Sequence, residues 1–370
     1  MNFLVVSHTP HTFINGRFNA YGPYVKEMNL WLKYVDTFEI LAPWIKDEPS
    51  LILLPYKNKE IRFSEVPAIS LLSFFEIVKT VIKLPKIFFS LFGAMKRADH
   101  IHLRCPGNIG LLGCIVQICF PKKKKTAKYA GNWDPKAKQP WSYRLQKWIL
   151  SNTFLTRNMK VLVYGEWPEQ TKNVLPLFTA SYSEEKIAAI PQKKYDAILQ
   201  FVYVGTLSKG KRPLYAIQLV ENLMKKGILC RLAIYGEGEQ RGVLEKYIKE
   251  AQLGSVVTLY GNQATEVIET AYKYSHFLIL ASQSEGWPKV VAEAMFWGVV
   301  PLVTPVSCVP WMLDNGNRGI ILTLKVTDDT ETLLRLLKEK EMLKKMAERG
   351  AEWSHQYTLE GFEAEIKKLI

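Results

Sequence analysis

Cysteine is scarce in this chain: five residues in 370, Cys105, Cys114, Cys119, Cys230 and Cys308. No two have the C-x-x-C spacing of a zinc or redox site, and they are too scattered for a disulfide framework. They read as reduced, mostly buried thiols. Glycine and proline are not in excess, which excludes collagen-like and disordered classes, and 48% hydrophobic with 12% aromatic residues is the make-up of a folded protein. Long apolar runs are missing as well. One long uncharged stretch, Cys105 to Pro121, opens on Pro-Gly-Asn, holds two further glycines and closes on proline. Its apolar middle, Ile109 to Phe120, is short for a membrane span and ordinary for a buried helix. The opening MNFLVVSHTP lacks a basic n-region and does not read as a signal peptide; a first buried strand and a cytoplasmic location are expected.

Acidic residues run short in one half only. Residues 1–195 hold 28 basic and 14 acidic side chains and residues 196–370 hold 21 of each, so the net charge of +14 belongs to the first half. At this length two domains are the default. The basic stretch Pro191–Asp196 reads as a linker, giving one domain over residues 1–195 and another over 196–355. A closing helix over 356–370 is expected to pack back on the first.

The second half has the clearer pattern. Apolar runs recur at Leu199–Val204, Leu229–Tyr235, Val256–Tyr260, Phe277–Ala281, Val299–Val303 and Gly319–Leu322. Amphipathic stretches alternate with them: Pro213–Lys226, Glu239–Ala251, Ala264–Tyr274, Pro288–Trp297 and Asp328–Gly350. This predicts an α/β, doubly wound parallel sheet, which binds ligands at the carboxyl ends of its strands. The first half repeats the scheme less regularly, with strands at Phe3–Ser7, Phe38–Leu41, His100–Leu103, Thr126–Ala130 and Val161–Tyr164. A long apolar-aromatic segment, Ala68–Met95, interrupts them.

The sharpest constellation is the run from Ser282 to Glu293. It follows a strand, so Glu285 sits on the carboxyl-edge loop while Glu293 lies inside the next helix. Pro288 suits the first helical position. The amides of Gly286, Trp287, Pro288's successor Lys289 and their neighbours stand at a helix N-terminus, which attracts anions. Two carboxylates flanking an anion site suit a nucleotide sugar; for an isolated E-x7-E pair, a solvated helical glutamate is the plainer reading. Other strand ends carry matching groups: Gly205-Thr206 through Lys209 to Lys211-Arg212, Gly236-Glu237-Gly238, and Gly261-Asn262. Glycine permits close approach of backbone to ligand, and lysine or arginine supplies charge to a diphosphate.

On these residues the second half resembles the donor-binding domain of a retaining GT-B glycosyltransferase of family 4. The matching pieces are the G-x-L-x-x-x-K loop Gly205–Lys211, Gly236-Glu237-Gly238, and the S-x-S-E-G-x-P…E-A-M-x-x-G-x-x-P run Ser282–Pro301. They cover most of residues 200–325. The resemblance implies two Rossmann-like domains facing across a cleft, a nucleotide-diphosphate-sugar donor, and no metal or other cofactor. It implies that Glu285 contacts donor-sugar hydroxyls, that Ser284 and the Gly286–Lys289 amides hold sugar and phosphate, and that Glu293 binds the ribose. Lys211 then neutralises the leaving diphosphate. Retention in the family is attributed to front-face attack assisted by the leaving phosphate, so no protein nucleophile is sought. Many members carry arginine where this chain has Thr206, which passes diphosphate charge to Lys211 with Lys209, Arg212 or a first-domain residue.

The first half matches less. Gly16 and Gly22 are the candidates for the family's glycine-bearing loop after the first strand. The family pattern D-x-x-H-x-H reads here Asp99-His100-Ile101-His102-Leu103-Arg104, placing Arg104 where a histidine faces sugar or acceptor. Arginine is no general base but binds diphosphate well. His102 is expected to point the other way along the strand, as a core residue. Tyr129–Asp134 and Tyr164–Trp167 lie at strand ends and suit either an acceptor cleft or loop packing.

The lysines Lys122 to Lys125 are expected in a solvated loop, and no nucleic-acid motif accompanies them, so nucleic acid is not expected as a partner. Ala68–Met95, with Phe74, Phe75, Phe88, Phe89 and interspersed lysines, suits either a helix pair over the core or an anionic membrane surface. The expectation is a retaining glycosyltransferase acting on a saccharide acceptor, for which a lipid-linked glycan fits, in surface polysaccharide or glycolipid biosynthesis. It would be peripheral at the inner face of the cytoplasmic membrane. The alternatives are a GT-B-type nucleotide-sugar epimerase, against which the Ser282–Glu293 run argues, and a non-catalytic basic protein binding membrane or nucleic acid.

Overall fold

The apolar runs sort onto two parallel sheets. The computed structural model describes residues 1–46, 52–57, 60–69 and 74–370, and of residues 74–79 the backbone only. It divides into unit 1, Met1–Phe178 with Glu363–Ile370, and unit 2, Thr179–Phe362. Among the described residues no helix is long and apolar enough to cross a membrane.

Unit 1 orders seven parallel strands as Val174–Pro176, Met159–Val163, Lys124–Tyr129, His100–Cys105, Asn2–Val6, Thr37–Ala42 and Ile61–Glu65. Unit 2 orders six as Val257–Gly261, Cys230–Tyr235, Leu199–Val204, Phe277–Leu280, Val300–Val303 and Ile320–Ile321. In both, the first strand stands mid-sheet and the chain winds outward first to one side, then to the other. That is the Rossmann order, with its switch point beside the first strand. In unit 2 it lies between Leu199–Val204 and Phe277–Leu280, so the loops after these two strands are neighbours.

Two strands escape the sequence pattern, Ile61–Glu65 and Val174–Pro176. Both are sheet edges, the first part-polar and the second ending on proline, so neither carries a doubly buried apolar run. A small antiparallel sheet of Thr12–Ile14, Arg17–Tyr21 and Leu53–Pro55 is added. The predicted helix Asp328–Gly350 is two helices, Val326–Lys338 and Lys340–Ser354, broken at Glu339 where φ is −107° and ψ 61°. Among the described residues, Ala68–Met95 holds one helix, Phe74–Arg97, rather than a pair; the side chains of Phe74, Phe75 and Lys79 lie outside the described residues.

The unit boundary at Phe178/Thr179 falls before the Pro191–Asp196 stretch. The intervening residues pack on unit 2: the Ser181 hydroxyl donates to Glu293 at 2.5 Å, Tyr182 meets Phe296 at 4.7 Å, and Tyr195 meets Phe277 at 5.8 Å. Polarity along the chain does not report such contacts. In unit 1, Glu363 accepts from Lys33 at 2.5 Å and from the Tyr34 hydroxyl at 2.7 Å.

The Lys122–Lys125 run corrects an expectation. It is not a solvated loop: Lys124 and Lys125 open a strand, and Lys125 and Lys128 are buried. Lys125 donates to Gln117 Oε1 at 2.8 Å and to the Phe120 carbonyl at 3.1 Å. Lys123 caps the Lys96 and Ala98 carbonyls, Lys124 reaches the Ile370 carbonyl, and Lys128 lies 4.4 Å over the Tyr164 ring. Helix ends leave carbonyls without intrahelical donors, and an ammonium satisfies several at once.

His100, His102 and Arg104 share one face of their strand, because residues two apart point the same way. This corrects the orientation expected of His102. Helix Gly22–Trp31 covers that face; Trp31 lies 4.5 Å from the His102 ring, and the Thr126 Oγ1 serves His100 Nε2 at 2.9 Å and His102 Nδ1 at 2.8 Å. Burial lowers His100 and His11 to about 4. Between the ordinary value near 6.5 and about 4, the unfolded chain takes up a proton at each site that the folded chain refuses. Stability is therefore complete above that window and falls with pH through it, by up to about 3 kcal/mol per histidine. Urea unfolding at pH 7 and pH 4.5 should show this loss, and His100→Gln should flatten it.

Candidate active site

At the carboxyl edge of the unit 2 sheet, backbone hydrogen bonds join successive loops. Gly205 N–H donates to the Tyr235 carbonyl at 3.0 Å, Leu207 N–H to Glu237 at 2.9 Å, and Gly236 N–H to Gly261 at 2.8 Å. Across the switch point, Gln283 N–H donates to the Gly210 carbonyl at 2.8 Å. The close approach of the loops after the first and second strands requires glycine at position 236. With φ at 138°, a Cβ there would lie 2.0 Å from the Gly205 oxygen.

The side chains this lacing brings together are Lys211 and Glu285. Lys211 ends a 3-10 turn, Lys209–Lys211, and its Nζ meets Glu285 Oε1 at 2.5 Å; Glu285 is nearly buried and Lys211 about a third exposed. The pairing couples the first and fourth strand ends. Arg212 holds the left-handed conformation that opens helix Pro213–Lys225 and donates to the Ala281 carbonyl at 3.2 Å, so it braces the switch point. Lys209 uses its backbone amide on Glu239 at 3.3 Å. Thr206 offers its carbonyl to the Tyr203 hydroxyl at 3.0 Å, and Glu237 is paired with Arg241.

The helix after Glu285 runs Lys289–Phe296, with Pro288 as its cap rather than its first residue. The Gly286 carbonyl is fixed by the Ser307 hydroxyl at 3.1 Å and the Cys308 thiol at 3.3 Å, a thiol pushed up to about 12 by burial. Trp287 turns its ring inward, 6.0 Å from Trp353 and 5.6 Å from Tyr357, so only its backbone stands at the site; Ser284 is exposed. Glu293 is held at both oxygens, by Ser181 at 2.5 Å and by the buried Tyr272 hydroxyl at 3.4 Å. Ser181, Tyr272 and Ser307 were not singled out by the sequence. The E-x7-E spacing marks Glu293, the partner of Ser181 and Tyr272, but carries no trace of them.

Unit 1 treats its candidates differently. Arg104 is buried, ion-paired with Glu27 and 5.3 Å from the Tyr24 ring centroid, and the Glu27 carboxylate holds its guanidinium charged against desolvation. Its fork is engaged within the unit rather than presented to a ligand. Gly16 follows Asn15 in a hairpin turn, with φ of 51° and 75°, the type I′ geometry that Asn-Gly favours. Gly22 starts helix Gly22–Trp31 against the Ile52 carbonyl, at 2.7 Å from its amide nitrogen. Trp133 and Trp167, from the two strand-end segments, line one cavity of about 340 Å³ with Arg144, Lys147 and Glu169.

The family model described as glycosyl transferases group 1 matches residues 184–353, wholly inside unit 2. Alpha-D-kanosaminyltransferase of Streptomyces kanamyceticus is 28% identical over 151 residues, which is 40% of this chain and 39% of that one. The chain thus aligns with about two fifths of the length of the curated relatives it matches. Among solved structures, sucrose-phosphate synthase from Thermosynechococcus elongatus superposes with a TM-score of 0.70 at 15% identity, covering 100% of this chain and 98% of that one. Anabaena Alr3699/HepE in complex with UDP and glucose gives 0.68 at 12% identity, covering 99% and 98%. These structural likenesses establish the fold, two Rossmann-like units of the GT-B type.

Gly236→Ala should force the Gly205 loop away from its neighbour. The expected cost is about 2 kcal/mol or more, read as a lower denaturant midpoint, with Gly210→Ala, where a Cβ meets nothing within 4 Å, as the neutral control.

Proposed function

We propose that this chain, whose residues 184–353 match the family model of the glycosyl transferases of group 1, moves a sugar, with retention, from a nucleotide-diphosphate donor to a saccharide acceptor. The observation that carries the reading is the Lys211–Glu285 pair at the unit 2 switch point, where a doubly wound sheet receives its ligand.

The proposed chemistry follows from that pair. Without donor, each side chain neutralises the other. A diphosphate draws the Lys211 ammonium to itself, where it meets the negative charge that grows as the sugar–phosphate bond breaks. Glu285 is then free to accept from sugar hydroxyls, beside the Gly286–Lys289 backbone. Glu293, already fixed by Ser181 and Tyr272, keeps lone pairs directed by those two donors and takes the ribose diol. With Arg212 and Arg104 engaged elsewhere, diphosphate charge falls to Lys211, assisted by Lys209; the scheme uses no metal. The acceptor we propose is a lipid-linked glycan of surface polysaccharide or glycolipid synthesis. The enzyme then works as a peripheral protein at the inner face of the cytoplasmic membrane, meeting anionic lipid through helix Phe74–Arg97.

Glu285→Gln should lower transfer by about a thousandfold and Lys211→Ala by about a hundredfold or more, while circular dichroism still reports a folded chain. Glu293→Gln should raise the donor KM more than it lowers kcat. The assay is binding to a panel of nucleotide sugars, followed by labelled transfer to a lipid-linked acceptor pool. Full activity in Glu285→Gln, or epimerised donor formed without acceptor, would overturn the assignment.

A further inference from the structure

The basic excess is more local than a half-chain count suggests. Residues 77–165 hold 17 basic side chains against two acidic ones, Asp99 and Asp134. Several of these cations are engaged inside unit 1: Arg104 by Glu27, Lys123 and Lys128 by main-chain carbonyls, Lys125 by Gln117, and Lys147 by the Trp133 carbonyl. The exposed remainder is distributed in a pattern.

Three helices, Phe74–Arg97, Asn108–Val116 and Trp141–Ser151, cover one face of the unit 1 sheet, joined in a single core through Ile87, Leu91, Ile109, Cys114, Ile149 and Leu150. Their outer sides are apolar where solvent should favour polar groups. On the first helix, Ile82 is 76% and Phe89 72% exposed, with exposed Lys86 between them. On the third, Trp141 and Trp148 are each 60% exposed, with exposed Arg144 between them. Residues seven apart are two helical turns apart, so each triplet forms one stripe, apolar–cation–apolar. Phe154, 69% exposed just beyond the third helix, repeats the pairing, with the Arg157 guanidinium 4.6 Å from its ring centroid.

We infer that the Trp141–Ser151 helix and its Phe154 turn form a second half of the membrane-facing surface, binding anionic lipid. Trp141, Trp148 and Phe154 lie at the boundary between headgroups and acyl chains, where amphipathic aromatic rings are favoured, and Arg144 and Arg157 take lipid phosphates. Charge complementarity selects this occupant. A second copy seated on the same face would set two basic, acid-poor surfaces against each other. The Lys122–Lys125 run does not supply this contact, since Lys123 and Lys125 are turned into the fold. The inference rests on the peripheral-membrane reading proposed above.

The test is partition of the full-length protein onto phosphatidylcholine vesicles with and without phosphatidylglycerol. Wild type should bind the anionic vesicles, Trp141→Ser/Trp148→Ser should bind roughly tenfold more weakly, and Arg144→Glu/Arg157→Glu should lose at least about fivefold per residue. The arginine variant changes only exposed charge, so it decides the question if the tryptophan variant is misfolded. Lys122→Ala/Lys123→Ala should cost less than either. Wild-type binding by both variants, with loss in Ile82→Ser/Phe89→Ser, would overturn this inference and leave the membrane reading standing. Absence of wild-type binding to anionic vesicles, or self-association through the Trp141–Trp148 face in their place, would overturn both.

Discussion

Parallel strand pairing is the constraint on which the rest depends. Parallel neighbours cannot be joined by a tight turn, and in unit 2 each strand is followed by a helix that returns the chain to the starting edge. Every loop that leaves a strand in unit 2 therefore emerges at the same edge. The 3-2-1-4-5-6 order then places the loops after the first and fourth strands side by side, although about 75 residues separate them in sequence. Lys211 and Glu285 meet for that reason. Their ion pair follows from topology, and Gly236, Arg212 and the Gln283–Gly210 hydrogen bond set how closely the loops approach.

Burial decides what each charge does. In unit 1, Arg104, Lys125 and Lys128 are removed from water and met by a carboxylate, by carbonyl and amide oxygens, or by an aromatic ring. Leaving such a group unpaired would cost several kcal/mol. They therefore act as internal fasteners, capping helix ends and bracing the Glu27 helix. Unit 1 still holds 27 basic and 14 acidic residues and unit 2 holds 22 and 21, so unit 2 meets a ligand with a few placed groups rather than a general field. The net charge of a half and the function of its lysines are separate questions, and the Lys122–Lys125 run shows how far apart their answers lie.

The alternation of apolar strands with amphipathic helices, the position of Ser282–Glu293 after a strand, and the glycines at strand ends were legible because each is a local consequence of backbone periodicity or of φ. Edge strands such as Ile61–Glu65 were not, since one exposed side removes the pattern. The partners of Glu293 were not legible either. Ser181 comes from a segment whose polarity resembles a linker, and Tyr272 is one aromatic among many on an amphipathic helix. Nor was the inward turn of Trp287, whose place in the Ser282–Pro301 run marks its backbone and leaves its ring to the Trp311–Trp353 cluster.

What the sequence by itself determined is the α/β class, the doubly wound donor-type half, and the residues Lys211, Glu285 and Glu293 as the groups to watch, because spacing along a strand–loop–helix unit is a local property. Tertiary structure alone decided which charges are available. It closed Lys211 on Glu285, drew Arg104 onto Glu27, buried Lys125 and Lys128, and left Trp141, Arg144 and Trp148 facing outward. Composition counts a charge wherever it stands, whereas the cost of desolvating it depends on the atoms that packing brings around it.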